Sequence, residues 1–179
     1  GGVTGFHYSK ALDMVEIGLG YAPKGGAGAT GGAVSGTGGA SAVSGFIKID
    51  PMDGLEIGFG AGEKATTGND NSFTDDHSTA YITYVYGPVT VGYQQSTVDT
   101  YSSTADDEVT RWGVLYAVND EMSISYQDHV NDDTTATDEE ATGWSASYTV
   151  GSMTFKAHRN SATNVGNIVN NESEHTEVG

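Results

Sequence analysis

The sequence predicts an all-β fold, an antiparallel up-and-down meander of about ten or eleven strands. Three observations predict it. Apolar residues recur at every second position in segment after segment, tight and long connections alternate along the chain, and one hairpin-sized unit occurs twice. A period of two marks a strand with one face in an apolar medium. No helical period of comparable length competes, and glycines within the segments weaken a helix further.

The elements follow in order. A first strand covers 3–8. The second, 14–21, alternates Val15, Ile17, Leu19 and Tyr21 with Glu16, Gly18 and Gly20. The third, 43–49, has two competing patterns: Val43, Ile47 and Ile49 vie with Phe46 for the apolar face. The fourth, 55–62, carries Leu55, Ile57, Phe59 and Ala61 against Glu56, Gly58 and Gly60. Ala80, Ile82, Tyr84 and Tyr86 define the fifth, 78–86, and Val89, Val91 and Tyr93 the sixth, 89–97. In the seventh, 108–118, the apolar set is Trp112, Val114, Tyr116 and Val118; in the eighth, 122–130, it is Met122, Ile124 and Tyr126. The ninth, 141–150, alternates Trp144, Ala146, Tyr148 and Val150 with serine and threonine, and the tenth, 153–160, carries Met153, Phe155 and Ala157. An eleventh begins near Glu174.

The short connections are "SKALD" (9–13), "DPMDG" (50–54), "GP" (87–88), "NDE" (119–121) and "GS" (151–152). The long ones, 22–41, 63–77, 98–107, 131–140 and 161–173, are polar, acidic or glycine-rich. Strict alternation places every tight turn at one end of an up-and-down sheet and every long loop at the other. "GFHYSKALDMVEIGLGY" (5–21) matches "GFIKIDPMDGLEIGFGA" (45–61), and both copies read as strand–turn–strand. Hairpin repeats are what a meander barrel is made of.

Composition removes several function classes. The chain has 179 residues with 24 acidic against 7 basic ones, a net charge of −17, so nucleic acid is not a partner. With Cys at 0, there is no disulfide scaffold, thiolate metal site or thiol nucleophile. No run approaches ~18 apolar residues, so no transmembrane helix is expected. "GAGATG" (26–31) fits a dinucleotide fingerprint, but "GAVSGTGGASAVSG" follows where a helix must start, and the segment reads as a flexible loop. "DDTTATDEE" (132–140) lacks the spacing of a calcium loop, which leaves only weak divalent bridging of the loops to lipopolysaccharide. His7, His77, His129, His158 and His175 form no spaced ligand pair, and no nucleophile elbow occurs. No catalytic residue, metal or cofactor is assigned.

What the two faces carry separates a barrel from a soluble sandwich. The face opposite the apolar one is rich in Gly, Ser, Thr and Gln, as in the lumen of a water-filled barrel whose other face meets lipid. Aromatic residues gather toward strand ends: Trp112 and Trp144 after long loops, Tyr93 and Tyr126 nearer the loop end, Tyr86, Tyr116 and Tyr148 near tight turns. Two such rows are the girdles of a membrane interface. The alternation then points Glu16, Glu56, Arg111, His129, Lys156 and His158 into the lumen, with Lys48 beside them if Val43, Ile47 and Ile49 face out.

"WGVLYAVNDEMSISYQD" and "GWSASYTVGSMTFKAHRN" resemble the C-terminal hairpins of general bacterial outer-membrane porins of the alphaproteobacterial type, and "TAYITYVYGPVTVGYQQS" resembles the hairpin before them. The resemblance covers most of the chain at the level of pattern. It implies a transmembrane barrel of about sixteen strands, with short periplasmic turns and long external loops, in the bacterial outer membrane. It also implies lipid and lipopolysaccharide as surroundings, a homotrimer at full length, and passive diffusion of small hydrophilic solutes and ions. Residues 1–179 then form part of one barrel domain, cut at both ends, with the pore-narrowing loop upstream and the terminal aromatic assembly signal missing from "EHTEVG". Such a piece keeps two unpaired edges and is not expected to insert as a working monomer. The acidic mouth implies weak cation selectivity. The competing expectation is a soluble or surface-exposed β-sandwich, an adhesin or carbohydrate-binding protein using exposed aromatics; a barrel enzyme is a third, without a His–Ser–acid set to support it.

Overall fold

The computed structural model describes residues 5–23, 41–67, 70–101, 106–133 and 137–179, with the side chains of 66–67 and 70–73 left aside. The glycine-rich segment 24–40, which holds "GAGATG", lies outside the described residues. Eleven strands form one antiparallel sheet in sequence order. They are β1 (Phe6–Leu12), β2 (Val15–Ala22), β3 (Ala42–Met52), β4 (Leu55–Thr67), β5 (Asp70–Tyr86), β6 (Val89–Asp99), β7 (Asp106–Ala117), β8 (Met122–Asp133), β9 (Glu139–Val150), β10 (Met153–Thr163) and β11 (Ser173–Val178). The all-β meander expected from the sequence is what the chain forms. β1 and β11 are not paired with each other.

The sheet is one layer thick. Among the described residues Ala65 is the single buried apolar one, and no large side chain is fully buried. Register puts Ile17, Leu19, Tyr21, Ile47, Phe59, Ile82, Tyr93, Trp112, Tyr126, Trp144 and Phe155 on one face, Ile17 half-buried and the others exposed. Lys10, paired with Ile17 two residues from the turn, and Arg159, paired with Trp144, are cations among them.

Successive hairpins are staggered. Val15 pairs with Ile49 while β3 runs on to Met52. Leu55 pairs with Tyr84, Val89 with Tyr116 and Met122 with Tyr148, and each time the later strand continues about two residues further before turning. An offset of roughly one residue per strand, with a ~3.3 Å rise and ~4.8 Å spacing, inclines strands by about 35–40°, the tilt of closed barrels.

Three boundaries differ from the sequence reading. The first two turns are tighter than "SKALD" and "DPMDG": Ser9–Leu12 belong to β1 and Asp50–Met52 to β3, leaving Asp13–Met14 and Asp53–Gly54 as turns. The 63–77 connection shrinks to residues 68–69, so the strict short/long alternation fails there. The other loops shorten too, because the strands run on at the loop end. The physical reason is common: hydrophobic alternation reports only the stretch with an apolar face, while backbone pairing continues into water. Trp112 and Trp144 consequently lie mid-strand rather than just after loops.

A bulge breaks the internal repeat. In β1 and β2 the register is unbroken, but between β3 and β4 it shifts between Ile49 and Met52, around Pro51, whose missing N–H suits a bulge. The shift reverses the parity of β3 relative to β1. Phe6 therefore faces with Tyr21, whereas its counterpart Phe46 turns to the opposite face and covers Gly18. This settles the competition in 43–49: Val43, Ile47 and Ile49 stand on the apolar face, and Lys48 on the other.

Tyr81 lies over Gly58 as Phe46 lies over Gly18, and a Cβ on either glycine would overlap the ring. Gly58→Ala should therefore cost about 1–3 kcal/mol in urea unfolding of detergent-folded protein, whereas Gly92→Ala, whose Cβ meets its nearest atom at 3.8 Å, should change stability by less than ~0.5 kcal/mol. At the loop end of the apolar face, Glu63, Asp76, Asp99 and Asp106 are successive register partners across four strands. Like charges directly opposite destabilise a sheet, so Asp99→Asn should raise stability by roughly 0.2–1 kcal/mol at low salt, and the gain should shrink as salt is added.

Candidate functional site: the polar face of the sheet

Parity within strands and register between them define the second face. Starting from Glu16, the partners run through Lys48, Gly58, Tyr81, Gln94, Arg111, His129 and Ala141, and Lys156 and His158 pair with Ser147 and Ser145 on the same face. All seven residues singled out from the sequence, Glu16, Lys48, Glu56, Arg111, His129, Lys156 and His158, stand on this face. The seven aromatics, Tyr86, Tyr93, Trp112, Tyr116, Tyr126, Trp144 and Tyr148, all stand on the other.

The residues of the polar face are joined across strands. Lys48 Nζ lies 3.0 Å from Glu56 Oε2 and 3.6 Å from Asp50 Oδ2. The Tyr81 hydroxyl donates to Glu56 Oε1 at 2.7 Å. One carboxylate thus ties β3 to β5 through β4, and the glycine beneath Tyr81 lets the ring lie flat enough to reach it. Glu16 is the register partner of Lys48, but Lys48 makes its ion pairs with Glu56 and Asp50.

Further along, Arg111 Nε donates to His129 Nδ1 at 2.9 Å, so the imidazole accepts at Nδ1 and the guanidinium charge is not cancelled by that contact. Tyr81, Gln94, Arg111, Gln127 and His129 line a shallow concavity. Hydroxyl pairs complete the wall: Ser123 with Ser147 and Ser125 with Ser145, both at 2.8 Å, and Thr79 with Ser96 at 2.8 Å. The result is a polar wall whose donors and acceptors are largely paired within it. It has fixed charges and an apolar minority that includes Phe46, Val85, Val98, Val109 and Leu115.

On the opposite face, Trp112 and Tyr126 stack obliquely with centroids 5.4 Å apart, and Tyr93–Trp112 and Tyr126–Trp144 are direct register partners. They form one aromatic row across β6 to β9. A second row near the turns contains Tyr86, Tyr116, Tyr148 and Phe155. The same face turns hydrophilic from the upper row onward: Asp128 and Arg159 are the register partners of Trp112 and Trp144, Arg159 pairs with Glu174 at 3.0 Å, and Ser78–Thr97 and Thr142–Ser161 hydroxyl pairs lie beyond.

Tyr81 was not among the sequence candidates, although its parity with Glu56 would have placed it. An aromatic residue in a strand is read as apolar-face by default, and its glycine partner becomes visible only through register. Asp50 was hidden by the bulge.

No protein-family model matches the sequence, and no curated protein matches it. Solved structures do. An anion-selective porin from Comamonas acidovorans matches with a TM-score of 0.64 at 12% identity, over 88% of this chain and 48% of that one. A porin refined at 1.8 Å matches with a TM-score of 0.65 at 13% identity, over 87% and 54%. OmpT, an outer membrane protein of Vibrio cholerae, gives 0.59 at 15% identity, over 94% and 58%. The chain spans about half the length of these structures. At such identities the likeness is one of fold: the eleven strands follow the antiparallel up-and-down course of outer-membrane β-barrels.

Proposed function

We propose that this chain is part of the wall of an outer-membrane channel that passes small hydrophilic solutes and ions by diffusion, with the polar face lining water and the apolar face meeting lipid. The observation that carries the reading is the single-layer sheet with an apolar face left uncovered. A soluble sandwich buries that face against a second sheet, and the described residues supply one sheet. Closed barrels alone let strands cross a bilayer without unpaired backbone. The stagger between hairpins supports closure by a longer chain.

The apolar stretch supports the membrane placement. It is three or four alternate residues, roughly 13–20 Å along the strand and about 11–16 Å along the normal at the tilt derived above, which lies within the ~25 Å apolar band of outer-membrane barrels. The aromatic rows sit at its edges, where ring and headgroup meet.

Charge supports cation preference. Asp107, Asp133 and Glu139 occupy the loop end of the polar face. Fixed charges at a mouth raise the local concentration of the opposite ion over about a Debye length, ~8–10 Å. The likeness to an anion-selective porin does not extend to this property, since selectivity follows side chains and not strand order. In planar bilayers the full-length protein should conduct, and its reversal potential in a salt gradient should favour potassium over chloride. Arg111→Ala should move that potential further toward cations. A non-conducting protein refutes the channel, and a chloride-favouring potential refutes the charge argument.

A further inference from the structure

We propose that His158, His175 and Glu177 form a binding site for a divalent transition-metal ion of the zinc class on the polar face between β10 and β11. His158 and Glu177 are direct register partners, and His175 is the partner of Asn160, which places it diagonally from His158. Direct and diagonal neighbours on one face of an antiparallel pair are within reach of long side chains. Parity puts all three on the face that carries Lys156 and Asn160.

The distances favour an ion over a hydrogen-bonded cluster. Glu177 Oε2 lies 3.6 Å from His158 Nε2 and 3.5 Å from His175 Nε2. Those separations exceed an ordinary hydrogen bond. They approach the ~3.3 Å edge of a tetrahedron whose metal–ligand bonds are ~2.0–2.1 Å. One ligand atom from each residue lies within 4.8 Å of the others, and the imidazole centroids are 5.5 Å apart. A small rotation of each side chain brings three donors around one centre.

The donor set selects the ion. Two imidazoles and one carboxylate suit zinc, copper or nickel, whereas magnesium and calcium take oxygen ligands. Three protein ligands leave a coordination position for water or a passing solute. His175 and Glu177 are exposed and His158 is half-buried beside them, so an ion reaches the site from solvent, and the net charge of −17 draws cations toward the protein. The sequence conceals the arrangement, because His158 and His175 lie on different strands and share no short motif. If the polar face lines a channel, an ion held there adds positive charge to its wall; that consequence alone rests on the channel reading.

The test uses full-length protein folded in detergent. Titration with Co²⁺ should produce visible d–d bands that saturate at one ion per chain and are displaced by Zn²⁺. His158→Gln and His175→Gln should each weaken Zn²⁺ binding by at least ~10-fold, with unchanged far-UV dichroism confirming the fold. Glu174→Gln, on the opposite face, should bind as the parent does. Saturable binding lost in both histidine variants establishes the site. Absence of saturation below about 1 mM, or binding unchanged in both variants, overturns it. The readout is spectroscopic, so a protein that binds zinc without conducting refutes the channel and not the site, and one that conducts without binding refutes the site alone.

Discussion

A sheet one layer thick has two faces and no interior, and each face must find its own solvent. In a soluble domain a second layer supplies it and the apolar faces meet in a core. Here the apolar residues of eleven strands lie on one face with nothing over them among the described residues. On the channel reading lipid covers this face, and lipid in turn requires every backbone N–H and C=O to be paired along the strands. Tilt, stagger, aromatic rows and a water-lined opposite face follow from those two demands.

The polar face shows how a wall without a core is held together. Glu56 accepts from Lys48 and Tyr81 and so links three strands by side chains as well as backbone. Glycine has a specific place in this. Gly18 and Gly58 leave room for Phe46 and Tyr81 to lie across the neighbouring strand, and without that room the phenol does not reach Glu56. Serine pairs repeat the linkage between β8 and β9 at lower charge. The same face is therefore polar, cross-linked between strands and electrically patterned, as the proposed diffusion pathway requires.

Much of this was legible in the sequence because alternation has a simple physical origin. Ile82 and Thr83 lie on opposite faces, and their difference in polarity along the chain reveals which is which. The parity of Arg111, His129 and Lys156 followed without any structure. What alternation does not report is whatever breaks or outlasts it. The bulge at Asp50–Pro51 moves Phe46 and Lys48 by one residue and leaves no mark in an apolar pattern that already reads both ways. The strand extensions beyond Trp112 and Trp144 carry acids on both faces, so paired backbone looks like loop. Contacts such as Tyr81 over Gly58, or His158 beside His175, depend on register between strands, which the spacing of residues within a strand does not contain.

The claim that one face meets lipid and the other water is tested most directly by labelling along a single strand. Residues 1–179 have Cys at 0, so with any cysteine elsewhere in the protein replaced, single cysteines introduced in β8 report alone. In full-length protein embedded in membranes, a charged, membrane-impermeant thiol reagent should modify Ser123→Cys and Ser125→Cys rapidly and leave Ile124→Cys and Tyr126→Cys unmodified until detergent is added. Equal labelling at both parities, or protection of the serine positions instead, would contradict the account.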